Sequence, residues 1–239
     1  MVKVYVGTSG WLYDWNEGSS LDWYVKHSGL NAVELNASFY RLPFSSQVRS
    51  WVRRGFSLRW SIKVHRYITH VKRLKGDAVD FWGRFRELFK PLDQYVDFYL
   101  FQMPPNFTYS GENLERVRLF AREAGLGSRF AIEFRHSSWF NEEVVRELGG
   151  VGLTMVSVDE PGLTWIGTTN GLAYLRLHGK LSWYSYEYSE GELRELAVKV
   201  IELKPSAIYV FFNNDHWMLE NARAMLRILN ELLNSQANI

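Results

Sequence analysis

Short runs of β-branched and aromatic residues recur along the whole chain, each of a length that suits a strand. They are Lys3–Val6, Ala32–Leu35, Leu58–Val64, Phe98–Phe101, Phe130–Phe134, Leu153–Val158, Leu172–Leu177 and Ala207–Phe212. Between most of them lie amphipathic stretches with apolar positions three and four apart. The clearest are Asp77–Phe89, Glu112–Ala124, Glu190–Leu203 and His216–Asn234, with a shorter one at Leu21–His27. The tract between the sixth and seventh runs differs: Pro161-Gly162, then Thr168 to Gly171, predict a turn and a hairpin. Alternating strands and helices imply parallel strands joined by right-handed crossovers. Eight strands within 239 residues predict an α/β fold, a TIM-type (β/α)8 barrel whose irregular sixth crossover lacks a regular helix. No G-x-G-x-x-G follows the first strand, which removes the main argument for a Rossmann fold. No linker, low-complexity tract or internal repeat divides residues 1–239, so they read as a single domain.

Side chains alternate between faces along a strand, so each run can be sorted by parity. Val33 and Leu35 oppose Glu34 and Asn36; Ile62 and Val64 oppose Ser61, Lys63 and His65. Ile132 and Phe134 oppose Glu133 and Arg135, and Val156 and Val158 oppose Ser157 and Asp159. Leu175 and Leu177 oppose Arg176 and His178, and Val210 and Phe212 oppose Asn213 and Asp215. The apolar set is expected to face the helices and the polar set the barrel axis, at the strand ends where barrel enzymes build their sites. Charges aimed into a barrel are costly unless paired or used.

The runs GTSGW (7–11), VELNASFYRLP (33–43), IKVHRYITH (62–70), FQMPPNF (101–107), IEFRHSSWF (132–140), YLRLHG (174–179) and FFNNDHW (211–217) together resemble the YecE-like family. That is a widespread group of barrel proteins without an assigned activity. The likeness runs nearly end to end and implies a barrel irregular at the sixth crossover. It implies no particular reaction, and Gly7 and Trp11 are matches of motif only.

Parity nominates a chemistry. Glu133 or Glu34 would act as general base, with a pKa tuned by burial and nearby cations. His178 would be the second proton carrier, since imidazole titrates near neutrality unaided. Lys63 could stabilise a developing oxyanion or, alternatively, form a Schiff base. Arg135 and Arg176 would clamp a carboxylate or phosphate bidentately. Ser9, Trp11, Asn36, His65, Gln102, His136, Asp159, Tyr184, Asn213, Asn214 and Asp215 complete the expected ligand-binding set. The same charges could instead neutralise one another in a network across the mouth. Gly7-Thr8-Ser9-Gly10 could offer an anion-binding nest or be a plain tight turn. Asn213-Asn214-Asp215 suits hydroxyl groups or could cap the last helix. Loop aromatics such as Trp11, Tyr13, Tyr40, Trp183, Tyr184 and Trp217 could stack on rings or pack as a small satellite core.

Composition narrows the choice. With no cysteine, disulfides, thiolate zinc sites and cysteine nucleophiles are excluded, and the 6 histidines have no close zinc spacing. Glu34, Glu133, Asp159 and His178 would suit Mg²⁺ or Mn²⁺. Three cationic side chains in the same cluster weigh against this, so neither a metal ligand nor a cofactor is assigned. The net charge is +2, yet no acidic residue falls between Glu34 and Asp77, where Arg41, Arg49, Arg53, Arg54, Arg59, Lys63, Arg66, Lys72, Arg73 and Lys75 accumulate. This tract could attract nucleic acid or be a solvated face, and a small anionic ligand is the preferred partner. No apolar run reaches membrane-spanning length. The opening Met1-Val2-Lys3-Val4-Tyr5-Val6 does not read as a secretory signal, so cytoplasmic residence is expected. The leading reading is an enzyme using hydrolase- or lyase-type acid–base chemistry. A metal-dependent phosphodiesterase or nuclease is the alternative, and a non-catalytic ligand-binding protein the third; oligomeric state stays open.

Overall fold

The computed structural model describes residues 2–237. Strands β1 (Lys3–Thr8), β2 (Ala32–Leu35), β3 (Arg59–Lys63), β4 (Val96–Gln102), β5 (Phe130–Glu133), β6 (Thr154–Met155), β7 (Ser157–Glu160), β8 (Leu163–Trp165), β9 (Leu172–Leu177) and β10 (Ala207–Phe212) form one curled sheet. Its order is β6-β5-β4-β3-β2-β1-β10-β9-β7-β8, with every pair parallel except the antiparallel β7–β8. Helices α1 (Leu21–His27), α2 (Ser45–Arg54), α3 (Ala78–Phe89), α4 (Gly111–Ala124), α5 (Glu142–Gly150), α6 (Glu190–Glu202) and α7 (Met218–Ala237) connect or follow the strands. The fold is therefore α/β with a predominantly parallel sheet. Among the described residues, no helix is long and apolar enough to cross a membrane.

Local chemistry sets the helix ends. Ser110 caps α4 by accepting from the Asn113 amide at 3.1 Å, and Gly125 ends that helix at φ 63°. Ser189 and Glu192 form a reciprocal capping box at the start of α6. Between β7 and β9 the chain makes the β8 hairpin and no helix. Only Val156 separates β6 from β7; its amide donates to Ile132 O at 2.9 Å, and beyond it the pairing passes from β5 to β9. Gly7 is required where β1 meets β2, since a Cβ there would lie 2.3 Å from Ala32 O.

The sheet carries two apolar layers. On its outer face Val33, Leu35, Ile62, Phe101, Ile132, Leu175 and Val210 join the helix residues Trp82, Phe85, Val117, Leu196 and Met225 in one large core. Inside the curl, Phe98, Leu100, Val156, Val158, Tyr174, Tyr209 and Phe211 form a second core. Tyr174 stands at its centre, 4.9 Å from Phe98 and 5.1 Å from Phe211 between ring centroids. This inner plug corrects the parity assigned to the sixth run. Val156 and Val158 point inward, while Asp159 pairs in register with the outward Leu177. An apolar interior floor lets valines face the axis, so polarity alone gave that run the wrong face.

Candidate functional site

Above the aromatic plug the same strands deliver charged side chains to a common layer. Glu34 comes from β2, Lys63 from β3, Glu133 from β5, Glu160 from β7 and Arg176 from β9. Arg135 and His178 follow the ends of β5 and β9. The register explains the convergence: Arg176 sits beside Val158 and Phe211, both inward, and Glu133 beside Gln102.

Arg176 is completely buried and organises two carboxylates. Its Nε and Nη2 donate to Glu34 Oε2 and Oε1 at 3.0 and 2.7 Å, and Nη1 pairs with Glu133. Glu34 also accepts from Tyr174 Oη at 2.6 Å and Ser9 Oγ at 3.0 Å, so both its oxygens are engaged. Arg135 pairs through Nε with Glu133, through Nη1 with Glu160 Oε2 at 2.7 Å, and through Nη2 with His178 Nε2 at 3.1 Å. Because a guanidinium only donates, His178 Nε2 must accept and Nδ1 must carry the proton. Asn213 Nδ2 lies 3.1 Å from Nδ1, and a protonated Nδ1 requires the amide O and N of Asn213 to be exchanged so that the oxygen accepts.

These contacts set the titration behaviour. Burial alone would raise the Glu133 carboxyl, yet Arg135 and Arg176 outweigh it and hold the group well below the usual range. Burial, reinforced by the same two guanidiniums, keeps His178 neutral far below the usual imidazole range. Burial pushes Glu160 up to about 7, with Arg135 opposing and Glu133 assisting. Burial followed by Arg176 brings Lys63 down to about 7, against the pull of Glu133 and Glu34. Lys63 is 7% exposed, and among the described residues no carboxylate oxygen lies within 4.0 Å of its Nζ. It rests instead on the Phe39 ring, 4.4 Å from the centroid. His70 meets the same ring edge-on at 4.9 Å; burial, then Lys63 and Arg66, lower it to about 4.

Two cavities open at this end of the sheet. One of about 240 Å³ is lined by residues including Ser9, Trp11, Tyr13, Asn36 and Tyr40. The other, of about 400 Å³, is lined by Gln102, Pro105, Arg135, Trp183 and Tyr184. Arg135 lies over the Trp183 ring at 5.0 Å. Strand β3, which ends at Lys63, lies between β2 and β4, whose C-terminal ends lead to Asn36 and Gln102, and Lys63 is not among the residues lining either cavity.

The sequence-nominated residues divide accordingly. Glu34, Lys63, Glu133, Arg135, Arg176, His178, Ser9 and Asn213 come together, and Asn36, Gln102 and Tyr184 line the cavities. Trp11 reaches one cavity but is chiefly core, edge-on to Trp51 and Trp60. Four others serve elsewhere. Asp159 is buried on the outer side, bonded to Tyr188 Oη at 2.7 Å and to Thr164. Asn214 is buried between Tyr186 O and Asn221 Oδ1. His136 caps a short 3-10 turn through Ser138, and His65 accepts from the Tyr67 amide at 3.1 Å and packs on Phe81. Asp215 occupies the rim with φ 51°. Glu160, Tyr174, Phe39 and His70 were not nominated. Glu160 shares the parity of Val156 and Val158, which polarity had set outward, and His70 lies within a quoted motif.

Two assigned roles change. Arg176 has no free edge for an external anion, and Glu133 is too acidic to serve as a base near neutrality. The carboxylate and imidazole group that could hold a cation is Glu133, Glu160 and His178, not the set with Glu34 and Asp159. The Arg135 guanidinium contacts all three of its members.

Residues 5–238 match the family model described as Protein of unknown function DUF72. The chain belongs to the DUF72 family. This agrees with the YecE-like likeness carried by the motifs. A DUF72 family protein from Thermotoga maritima is similar at 30% identity, over 97% of this chain and 99% of that chain, with a TM-score of 0.82. A DUF72 family protein from Enterococcus faecalis is similar at 23% identity, over 95% of each chain, also with a TM-score of 0.82. Beyond DUF72, a xylose isomerase-like TIM barrel/4-hydroxyphenylpyruvate dioxygenase fusion protein shares the fold at 15% identity and a TM-score of 0.58. That likeness covers 99% of this chain and 45% of that chain. No curated protein matches the chain.

Proposed function

We propose that this DUF72 protein is an enzyme performing acid–base chemistry on a small anionic ligand at the C-terminal mouth of a single (β/α)8 barrel domain. Counting β6 and β7 as one sixth strand broken at Val156, and β8 as an excursion within the sixth crossover, supports the eight-stranded reading. The TIM-barrel neighbour is consistent with it. The observation that carries the function is Lys63: a buried ammonium at the end of β3 that, among the described residues, has no carboxylate partner, in the same charged layer as Arg135, which lines one of the two cavities. A cation left unpaired beside a paired network is a group awaiting a charge. Lys63 then holds the anion, Glu160 carries the proton in the neutral range, and Arg135 on Trp183 closes one wall. Arg176, Glu34 and Glu133 are the rigid base of the site.

The test is sulfate and phosphate binding by calorimetry at pH 6 and pH 8.5. Lys63 is charged below about 7, so affinity is present at pH 6 and falls about tenfold or more by pH 8.5. Lys63→Met abolishes the pH 6 binding. Anion binding that survives this substitution unchanged, or no binding in the wild type, rejects the reading.

A further inference from the structure

We infer that Lys63 is a covalent catalytic residue, forming an imine with a small carbonyl compound that also bears an anionic group. The inference rests on the acid–base reading above and names its substrate class. Three features of the geometry point to it. Lys63 sits at the inward C-terminal end of β3 and lacks the carboxylate contact that would hold an amine in its charged, unreactive form. Its nitrogen lies 4.4 Å from the Phe39 centroid, so one side of the amine is apolar and water-poor. Asn36 and Gln102, at the ends of the strands flanking β3, line the two cavities that open at this end of the sheet and offer polar groups there. Among the described residues, Asn36 Oδ1 is buried and accepts no hydrogen bond.

The charges around Lys63 are Arg176, Arg135, Glu133, Glu34 and the neutral His70. The two guanidiniums repel its ammonium, and the two carboxylates are committed to those guanidiniums. Burial and this repulsion leave about half of Lys63 neutral at pH 7. An ordinary lysine, with pKa roughly 10.4, is neutral in about one molecule in 2,500 at that pH.

The step balances without an external oxidant or reductant. The Lys63 nitrogen lone pair attacks the carbonyl carbon, and the C=O π pair moves to oxygen. A proton passes from nitrogen to that oxygen. The Glu160 carboxylic acid gives the carbinolamine hydroxyl a proton, water leaves as the nitrogen lone pair forms C=N⁺H on Lys63, and Glu160 is left as the carboxylate. The resulting iminium is an electron sink for proton removal from the adjacent carbon, and Glu160 is the carboxylate that titrates where such a base should.

The experiment is reductive trapping of the full chain with glyoxylate, pyruvate or glycolaldehyde phosphate and sodium cyanoborohydride at pH 7, followed by peptide mass mapping. Cyanoborohydride delivers hydride to the imine carbon and fixes the adduct as a secondary amine. Lys63 is expected to be labelled at least about tenfold faster than every other lysine, since an ordinary lysine is almost wholly protonated at about pH 7. Its labelling rate rises from pH 6 to pH 8, opposite to sulfate affinity. Lys63→Arg keeps the positive charge, so it retains sulfate binding but loses the fast adduct. Uniform labelling of all lysines by all three probes overturns the imine. If sulfate still binds in a Lys63-dependent way, the anion-binding reading stands alone; if it does not, both fall.

Discussion

Arg176 is the residue whose removal tests the architecture of the site most directly. Arg176→Met keeps the side-chain length and deletes the guanidinium. Two hydrogen bonds to Glu34, at 3.0 and 2.7 Å, and the ion pair to Glu133 are lost together, all between side chains with no solvent exposure. Charge-assisted bonds contribute about 1.5–3 kcal/mol each. The losses do not simply add, because Ser9 and Tyr174 still donate to Glu34 and Arg135 still pairs with Glu133. What remains is a buried carboxylate without a counter-charge, which costs about 3–5 kcal/mol. For a chain of this size that corresponds to a fall in Tm of roughly 6–20 °C. Urea unfolding of Arg176→Met, Glu34→Gln and the double variant measures it. The double variant should be less destabilised than the sum of the two single ones, with a coupling of about 1.5–3 kcal/mol. A loss below about 1 kcal/mol in Arg176→Met, with native circular dichroism, would refute the reasoning.

Acid unfolding carries the same signature, because Glu133 is held far below its ordinary range. Its contribution is present above the unfolded carboxylate pKa and is lost as pH falls through the folded value. Without Arg176 the depression shrinks, so acid unfolding should begin at a higher pH.

Glu160 has the opposite sign: its folded pKa is raised to about 7, so ionising it costs stability as pH climbs from the ordinary carboxylate range through 7. Glu160→Gln should therefore gain stability relative to the wild type between pH 5 and pH 8, on the order of 2–3 kcal/mol by urea titration, and a flat difference counts against the burial argument. Gly7→Ala would press a methyl group into Ala32 O, and a Tm within 2 °C of the wild type (an effect below about 1 kcal/mol) would show that β1 and β2 yield there at little cost. Trp11→Ala should lose about 3–5 kcal/mol in thermal or urea unfolding, since its ring is packed on Trp51 and Trp60; a purely ligand-stacking role predicts almost none.

Where sequence reading succeeded, the polarity of a strand matched the layer it enters. Glu34, Lys63, Glu133 and Arg176 stand at the level of the mouth, above the plug, and their outward neighbours Leu35, Ile62, Ile132 and Leu175 face helices. There, apolar means outward. The rule reverses below that level, where Phe98, Leu100, Val158 and Phe211 fill the interior. Strand six crosses both levels, so Val156 and Val158 look outward by composition and Asp159 inherits the wrong face. Continuing the alternation one step past Asp159 reaches Glu160, the residue that does join the cluster. His70 escaped for another reason: it reaches Phe39 from the π-helical turn Tyr67–Val71, which no strand or α-helix period announces.

The network and the reactive pair are separable by their partners. Arg176 with Glu34 and Arg135 with Glu133 each set one cation against one anion. The remaining members, Lys63 and Glu160, both titrate at about 7. Moving one proton from Lys63 to Glu160 converts an ammonium and a carboxylate into an amine and a carboxylic acid, and the total charge of the buried cluster is unchanged. Such a transfer avoids the desolvation cost that creating a net buried charge would impose. On the proposed acid–base reading, the paired residues hold the field constant while the charge states of Lys63 and Glu160 change, so that a free amine and a carboxylic acid coexist at the same pH.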